Sequence, residues 1–180
     1  MDKWFEDYRD PKEFVVGGLT RWCVFLRDDS DGPDSLWLDG DGAPMLWEDQ
    51  LTALQASSVP RDEVDSTCYD LDLAMEGFDR LIRSDPNVML DAWNFIDDFL
   101  QSSSHPLGFG GKVESKSYEK LFWATNPPSL TPSGEHYVPT WRRRELRKMY
   151  QVLSRGRKRV LDIVRATPVQ SADCSVSQSR

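Results

Sequence analysis

The chain has 180 residues, enough for one domain with a substantial core or one domain with a tail, since a domain of about 150 residues buries roughly 70% of its unfolded surface. Its charge of −8 is unevenly spread: residues 142–165 hold ten Lys/Arg against Glu145 and Asp162, while the first 141 residues carry eleven basic and twenty-seven acidic side chains, a local −16. No apolar run is long enough to span a membrane, the start is too acidic and broken for a secretory signal, and Cys23, Cys68 and Cys174, odd in number and without metal-type pairing, read as reduced thiols of a cytosolic protein.

Taken in order, residues 1–18 are polar with scattered aromatics (Trp4, Phe5, Tyr8, Phe14) and fit a short helix or an extended arm equally well, ending at the break Gly17-Gly18. Leu19–Arg27 alternates, with Thr20, Trp22, Val24 and Leu26 on one face and Leu19, Arg21, Cys23, Phe25 and Arg27 on the other, which is strand periodicity. After the polar loop 28–34, Ser35–Asp39 and Pro44–Glu48 read as two short strands around Gly40-Asp41-Gly42-Ala43, giving a small antiparallel meander. Glu48–Ser57 reads as a helix with Leu51 and Leu54 inward, and Ser58–Ser66 as a linker carrying Asp62, Glu63 and Asp65.

Thr67–Ser102 reads as two antiparallel helices joined at Ser84-Asp85-Pro86-Asn87. Leu71, Met75, Phe78 and Ile82 line one face of the first. Asp85 can cap the second, where Pro86 fits the first position because its missing N–H has no helical partner there anyway. That second helix, with Met89, Leu90, Ala92, Trp93, Phe95, Ile96, Phe99 and Leu100, is apolar nearly all round, so it belongs at the centre of the fold. Lys116–Ala124 reads as a short helix, and Asn126–Pro139 as a long loop. Thr140 can cap a final helix from Trp141 to about Ala166, with an apolar stripe through Leu146, Met149, Leu153, Val160 and Val164 and a weak point at Gly156. The expectation is one α+β domain over residues 1–166, a small N-terminal antiparallel sheet packed on a mostly helical body with a central helical hairpin, followed by a disordered tail at 167–180.

Chemical motifs fail on inspection. Asp39, Asp41, Gly42 and Glu48 match four positions of a calcium loop, but Trp37 stands where the first oxygen ligand is needed. Leu107–Lys112 lacks the first glycine and the Mg²⁺-binding hydroxyl of a phosphate loop. Asp70-Leu71-Asp72 fits a helix start better than a metal site. His105 and His136 lie in no nucleophile or zinc spacing, and the carboxylate pairs Asp28/Asp29, Asp62/Glu63 and Asp97/Asp98 are too many for one to stand out. The expectation is no catalytic residue, no metal and no cofactor.

Two stretches carry a resemblance. Tyr118–Pro127, with Leu121-Phe122-Trp123 and Asn126-Pro127, followed by Gly134–Trp141, with Pro139-Thr140-Trp141 before a last helix, is similar to an arrangement found in bacterial immunity proteins that accompany polymorphic toxins, including those of contact-dependent growth inhibition. Leu36-Trp37-Leu38-Asp39 before a Gly turn and Asp91–Asp98 within a helix also resemble that pattern. The resemblance implies a cytoplasmic, non-catalytic protein that binds a cognate toxin domain, often a nuclease, and neutralises it stoichiometrically. The acidic body agrees, because it attracts a basic partner and repels membranes and nucleic acid. Candidate toxin-binding residues are Asp28, Asp29, Asp31, Asp34, Asp39 and Asp41, with Trp37 as an aromatic anchor if it faces outward; Asp62, Glu63 and Asp65 form a second candidate surface. The alternative is a nucleic-acid-associated regulator using Arg142–Arg159, whose bases could neutralise phosphates or simply complement the acidic body.

Overall fold

A computed structural model describes residues 8–27, 34–64, 67–106, 112–127, 129–132 and 135–170. A four-stranded sheet is built from β1 (Tyr8–Val16), β2 (Leu19–Arg27), β3 (Ser35–Leu36) and β4 (Cys68–Asp70), in the spatial order β3-β2-β1-β4. The helices are α1 (Gln50–Ser57), α2 (Leu71–Glu76), α3 (Phe78–Ser84), α4 (Pro86–Ser102), α5 (Lys112–Ala124) and α6 (Arg143–Ala166). The α+β class and the N-terminal position of most of the sheet agree with the sequence.

Of the N-terminal segment, Tyr8–Val16 takes the extended alternative, as a central strand and not a helix, and residues 1–7, with Trp4 and Phe5, lie outside the described residues. β1 pairs antiparallel with β2 from Tyr8↔Arg27 to Val16↔Leu19. Gly17 and Gly18, at φ +59° and +73°, make the two-residue turn whose twist suits such a hairpin. Asp10, Lys12, Phe14 and Val16 alternate along one buried face. Pro11 is tolerated because β4 covers β1 only at Glu13–Val15, leaving Pro11 beyond that pairing. β2 has the two faces read from its alternation. Cys23 and Phe25 join the main core, while Trp22 and Val24 join Trp47 and Ala53 in a smaller one.

Residues 68–70 form β4, parallel to β1, before any helix starts. The helix that follows is broken at Gly77 into α2 and α3. A Cβ at Gly77 would lie 2.7 Å from the Leu81 side chain and 3.2 Å from the Leu73 carbonyl oxygen, so any larger residue at the break would have to displace the Leu81 side chain. Asp70 caps α2, accepting the Leu73 N–H. Pro86 stands at the start of α4 as expected, although Asp85 makes no side-chain cap bond there.

α4 is the centre of the fold. It packs against β3, β4, α2, α3, α5 and α6 and buries Met89, Ala92, Trp93, Phe95, Ile96, Phe99 and Leu100. Phe95 sits in a ring cluster with Phe14 (5.0 Å between centroids), Phe25 (5.8 Å), Tyr69 (5.0 Å) and Phe99 (5.8 Å). This cluster fastens the sheet to the helical body.

Several boundaries differ from the sequence reading. Ser35–Leu36 is a strand, but the rest of the meander is held by isolated bridges, Leu38↔Pro44 and Trp22↔Trp47. α1 starts at Gln50 behind the Asp49 cap and turns Ala53 and Leu54 inward; Leu51 is exposed. α6 is capped by Arg142, not Thr140: the Arg142 N–H donates to Glu145 at 2.8 Å, while the Thr140 carbonyl accepts from Lys120. Gly156 lies on the buried face of α6 and does not interrupt the helix. Residues 167–170 are not tail: Val169 bridges to Leu46, and the Gln170 N–H donates to the Leu46 carbonyl at 2.7 Å. Residues 171–180, the remainder of the expected tail, lie outside the described residues.

Candidate functional site

The charged positions of β1 have no place in an apolar core unless paired. Asp10 and Lys12 are both buried, their side chains 3.1 Å apart. Arg27, opposite on β2, reaches Asp10 at 2.6 Å and Asp34 at 3.5 Å. Removing one partner of the buried Asp10–Lys12 pair would cost several kcal/mol (~3–5), whereas the Arg27–Asp34 contact, exposed on both sides, is worth about 1 kcal/mol or less. The pairs line a small cleft of about 90 Å³ between the sheet and α4, with Phe25, Tyr69 and Phe95 as its apolar floor.

From the helix side come Asp91, Asn94 and Asp98, three positions at helical spacing on the one polar stripe of α4. Asn94 accepts the Tyr118 hydroxyl at 2.9 Å. Asp98 accepts no hydrogen bond and forms no ion pair among the described residues. Its carboxyl is pushed up to about 7, first by burial and then by the charges of Asp34 and Asp97. Asp97 is also raised, by burial. The cleft and its rim thus hold five carboxyls, Asp10, Asp34, Asp91, Asp97 and Asp98, against Lys12 and Arg27. Such an arrangement can accept a further cationic side chain, whose approach would favour the charged form of Asp98.

The sequence candidates separate. Asp34 belongs to this cleft. Trp37 is half-buried against Trp47 (5.9 Å between centroids), with the Arg9 guanidinium 4.9 Å above its ring, so it packs on the edge of the smaller core and does not stand free as an outward anchor. Asp39 is occupied by its own turn, accepting the N–H groups of Asp41 and Ala43 at 2.9 Å each, with Gly42 at φ +81°. Asp41 is exposed and lines another, open groove of about 580 Å³ with Arg159, Asp162 and Ile163. Asp28, Asp29 and Asp31 lie outside the described residues, as does Asp65; Asp62 is exposed in a 3₁₀ turn at Arg61–Glu63. The sequence reading missed Asp98 as a site residue. The spacing Asp91-x-x-Asn94-x-x-x-Asp98 on an otherwise apolar helix was the signal that could have found it.

Among the described residues no group of three His, Cys, Asp or Glu side chains could hold a metal ion. Nδ1 of His105 lies against the Ser103 carbonyl of its own turn. Cys23 is buried and Cys68 exposed, both as free thiols, and burial raises both pKa values, Cys68 to about 11.

The basic helix is divided as well. Arg157 of α6 pairs with Asp72 at 2.6 Å, and the same carboxylate accepts the Gly17 and Gly18 N–H groups at 2.9 and 2.7 Å. Arg159 donates to the carbonyls of His105 and Pro106, and Lys158 pairs with Asp162 one turn on. The segment before α6 is clasped by Asn126, which accepts the Tyr137 N–H at 2.6 Å and donates to the Tyr137 carbonyl at 3.2 Å. No helix among the described residues is long and apolar enough to cross a membrane. Comparison with protein-family models, curated proteins and solved structures finds no match for this chain.

Proposed function

We propose that this chain is an immunity-type inhibitor: a cytoplasmic protein that binds a basic toxin domain, of the nuclease kind used in contact-dependent growth inhibition, and neutralises it by stoichiometric association and not by turnover. The observation that carries the reading is the Asp34–Asp98 cleft. A half-buried carboxyl that faces two like charges, while the Lys12 and Arg27 of its cleft pair with Asp10 and Asp34, is an energetic cost to the free protein, and a further arginine or lysine from a partner removes that cost on binding. The local −16 of the first 141 residues supports fast, steered encounter with a basic domain. The resemblance of residues 118–141 to immunity proteins supports the partner class.

The test is co-expression with the C-terminal domain of a secreted effector encoded beside this gene, followed by isolation of the complex and a growth-protection assay. The reading expects a one-to-one complex that survives moderate salt, and protection that is lost when Asp34→Lys and Asp98→Lys are combined. Absence of a complex with that domain, or full protection by the double variant at low expression, would sink it.

A further inference from the structure

Beyond toxin binding, and independent of it, we infer that the outward face of α6 is a docking surface for the sugar–phosphate backbone of a nucleic-acid duplex. Arg143, Arg144, Arg147, Arg155 and Arg165 are all exposed. At about 100° per residue they fall within roughly 120° of the helix circumference, opposite the face that buries Met149, Val152, Leu153, Gly156, Val160 and Val164. Arg143, Arg144, Arg147 and Arg165 make no hydrogen bond or ion pair with any described residue, and Arg155 bonds only the Gln151 carbonyl of its own helix. Complementing the acidic body therefore accounts for Arg157 but not for these five. From Arg143 to Arg165 the row runs about 33 Å, close to one turn of a duplex, about 34 Å.

The chemistry of the row selects its occupant. Arginine presents a planar fork of donors suited to phosphate oxygens. A protein interface has a core depleted in charge, whereas this face holds Gln151 and the exposed Lys158–Asp162 ion pair among its arginines, a net positive charge throughout. A membrane-surface helix inserts its apolar face, and α6 has placed that face in the core. Duplex nucleic acid, whose interfaces are polar and strongly positive on the protein side, fits what remains. The acidic body, held away behind the helix, limits the approach to this one face.

The test is fluorescence anisotropy of a mixed-sequence DNA duplex of about 25 base pairs with the full chain, over about 50 to 200 mM salt. The expected result is salt-sensitive binding with a log–log slope of about −4, from four to five phosphate contacts, and so a loss of about a hundredfold or more across that range. R144E, R147E and R155E combined should weaken binding at least about tenfold at the low-salt end and reduce the slope by about 2 to 3. Arg61→Glu with Arg83→Glu, exposed bases that are not on α6, should leave it unchanged. Circular dichroism of each variant, whose replaced side chains all point into solvent, verifies the fold. No binding at low salt, equal loss in the control variant, or capture only by anionic vesicles or by a second copy of the chain would overturn the inference.

Discussion

Replacing Asp98 with asparagine should stabilise the free protein, and only above mildly acidic pH. In the folded chain its carboxyl is pushed up to about 7 from the ordinary 3.8 by burial, Asp34 and Asp97. Below about pH 4 the folded and unfolded forms both hold the proton and the group contributes nothing to the difference. Between about 4 and 7 the folded form retains a proton the unfolded form has released, so each rise in pH lowers stability; above about 7 both are ionised and the full penalty persists. Three units at 1.36 kcal/mol each would give about 4 kcal/mol, and water at the exposed side of the carboxyl screens that to about 1–2 kcal/mol. Urea unfolding of the wild type and D98N at pH 4, 6 and 8 should show no difference at the first and a gain of about 1–2 kcal/mol at the last. A cation seated by the partner would reverse the preference, so association should expel a proton at pH 6 and tighten about tenfold by pH 8. Equal stabilities of wild type and D98N at every pH would refute the account of the cleft.

Phe95→Ala removes the ring that joins Phe14, Phe25, Tyr69 and Phe99, and should cost about 3–5 kcal/mol in chemical denaturation. Gly17→Ala must hold φ near +59° and bring a Cβ within 2.7 Å of Leu161, so a loss of about 1–2 kcal/mol or more is expected in thermal melts. Asp72→Ala unties the Gly17-Gly18 turn from Arg157 and should cost about 2 kcal/mol near neutrality. The Asp72 pKa is lowered, against the opposing effect of its burial, by the Gly18 and Gly17 N–H groups and Arg157. The wild-type advantage is therefore present above the ordinary carboxylate range and should shrink as pH falls below it.

What could be read from the residues alone was what local periodicity decides. β2 shows as a strand because its short run of bulky apolar residues, buried on both faces, is bounded by Arg21 and Arg27, and α4 and α6 show long apolar stripes, with Pro86 at the start of α4; the cap of α6 was read as Thr140 and is Arg142. β1 was hidden because two of its four inward positions are Asp10 and Lys12, which belong there only through Arg27 on the neighbouring strand. β4 is three residues long and exists by pairing with β1, more than fifty residues earlier in the chain, which no local window can report. The break at Gly77 leaves the apolar spacing of α2 and α3 intact, so the two read as one helix. Leu51 and Leu54 both looked inward by spacing; Leu54 is buried with Ala53, and Leu51 is exposed.

The candidate site obeys the same division. Asp34 was visible as part of an acidic loop, but the residue that gives it meaning stands sixty-four positions later on α4, and Asp97/Asp98 looked like any other carboxylate pair until the helix was set against the sheet. Composition, in contrast, held a feature that the fold made specific. The chain has an acidic body and a basic last helix, and folding could have cancelled one against the other. Asp72–Arg157 is the ion pair by which α6 reaches the turn between β1 and β2, and five arginines remain on the outer face of α6. Charge that folding leaves uncancelled is under no structural demand to be there, since an exposed arginine contributes little to stability. The arginines lie on the outer face of α6 and the carboxyl-rimmed cleft lies between the sheet and α4, so the two charges sit on different surfaces. A basic protein and a phosphate backbone would then meet different surfaces, and binding of one need not displace the other.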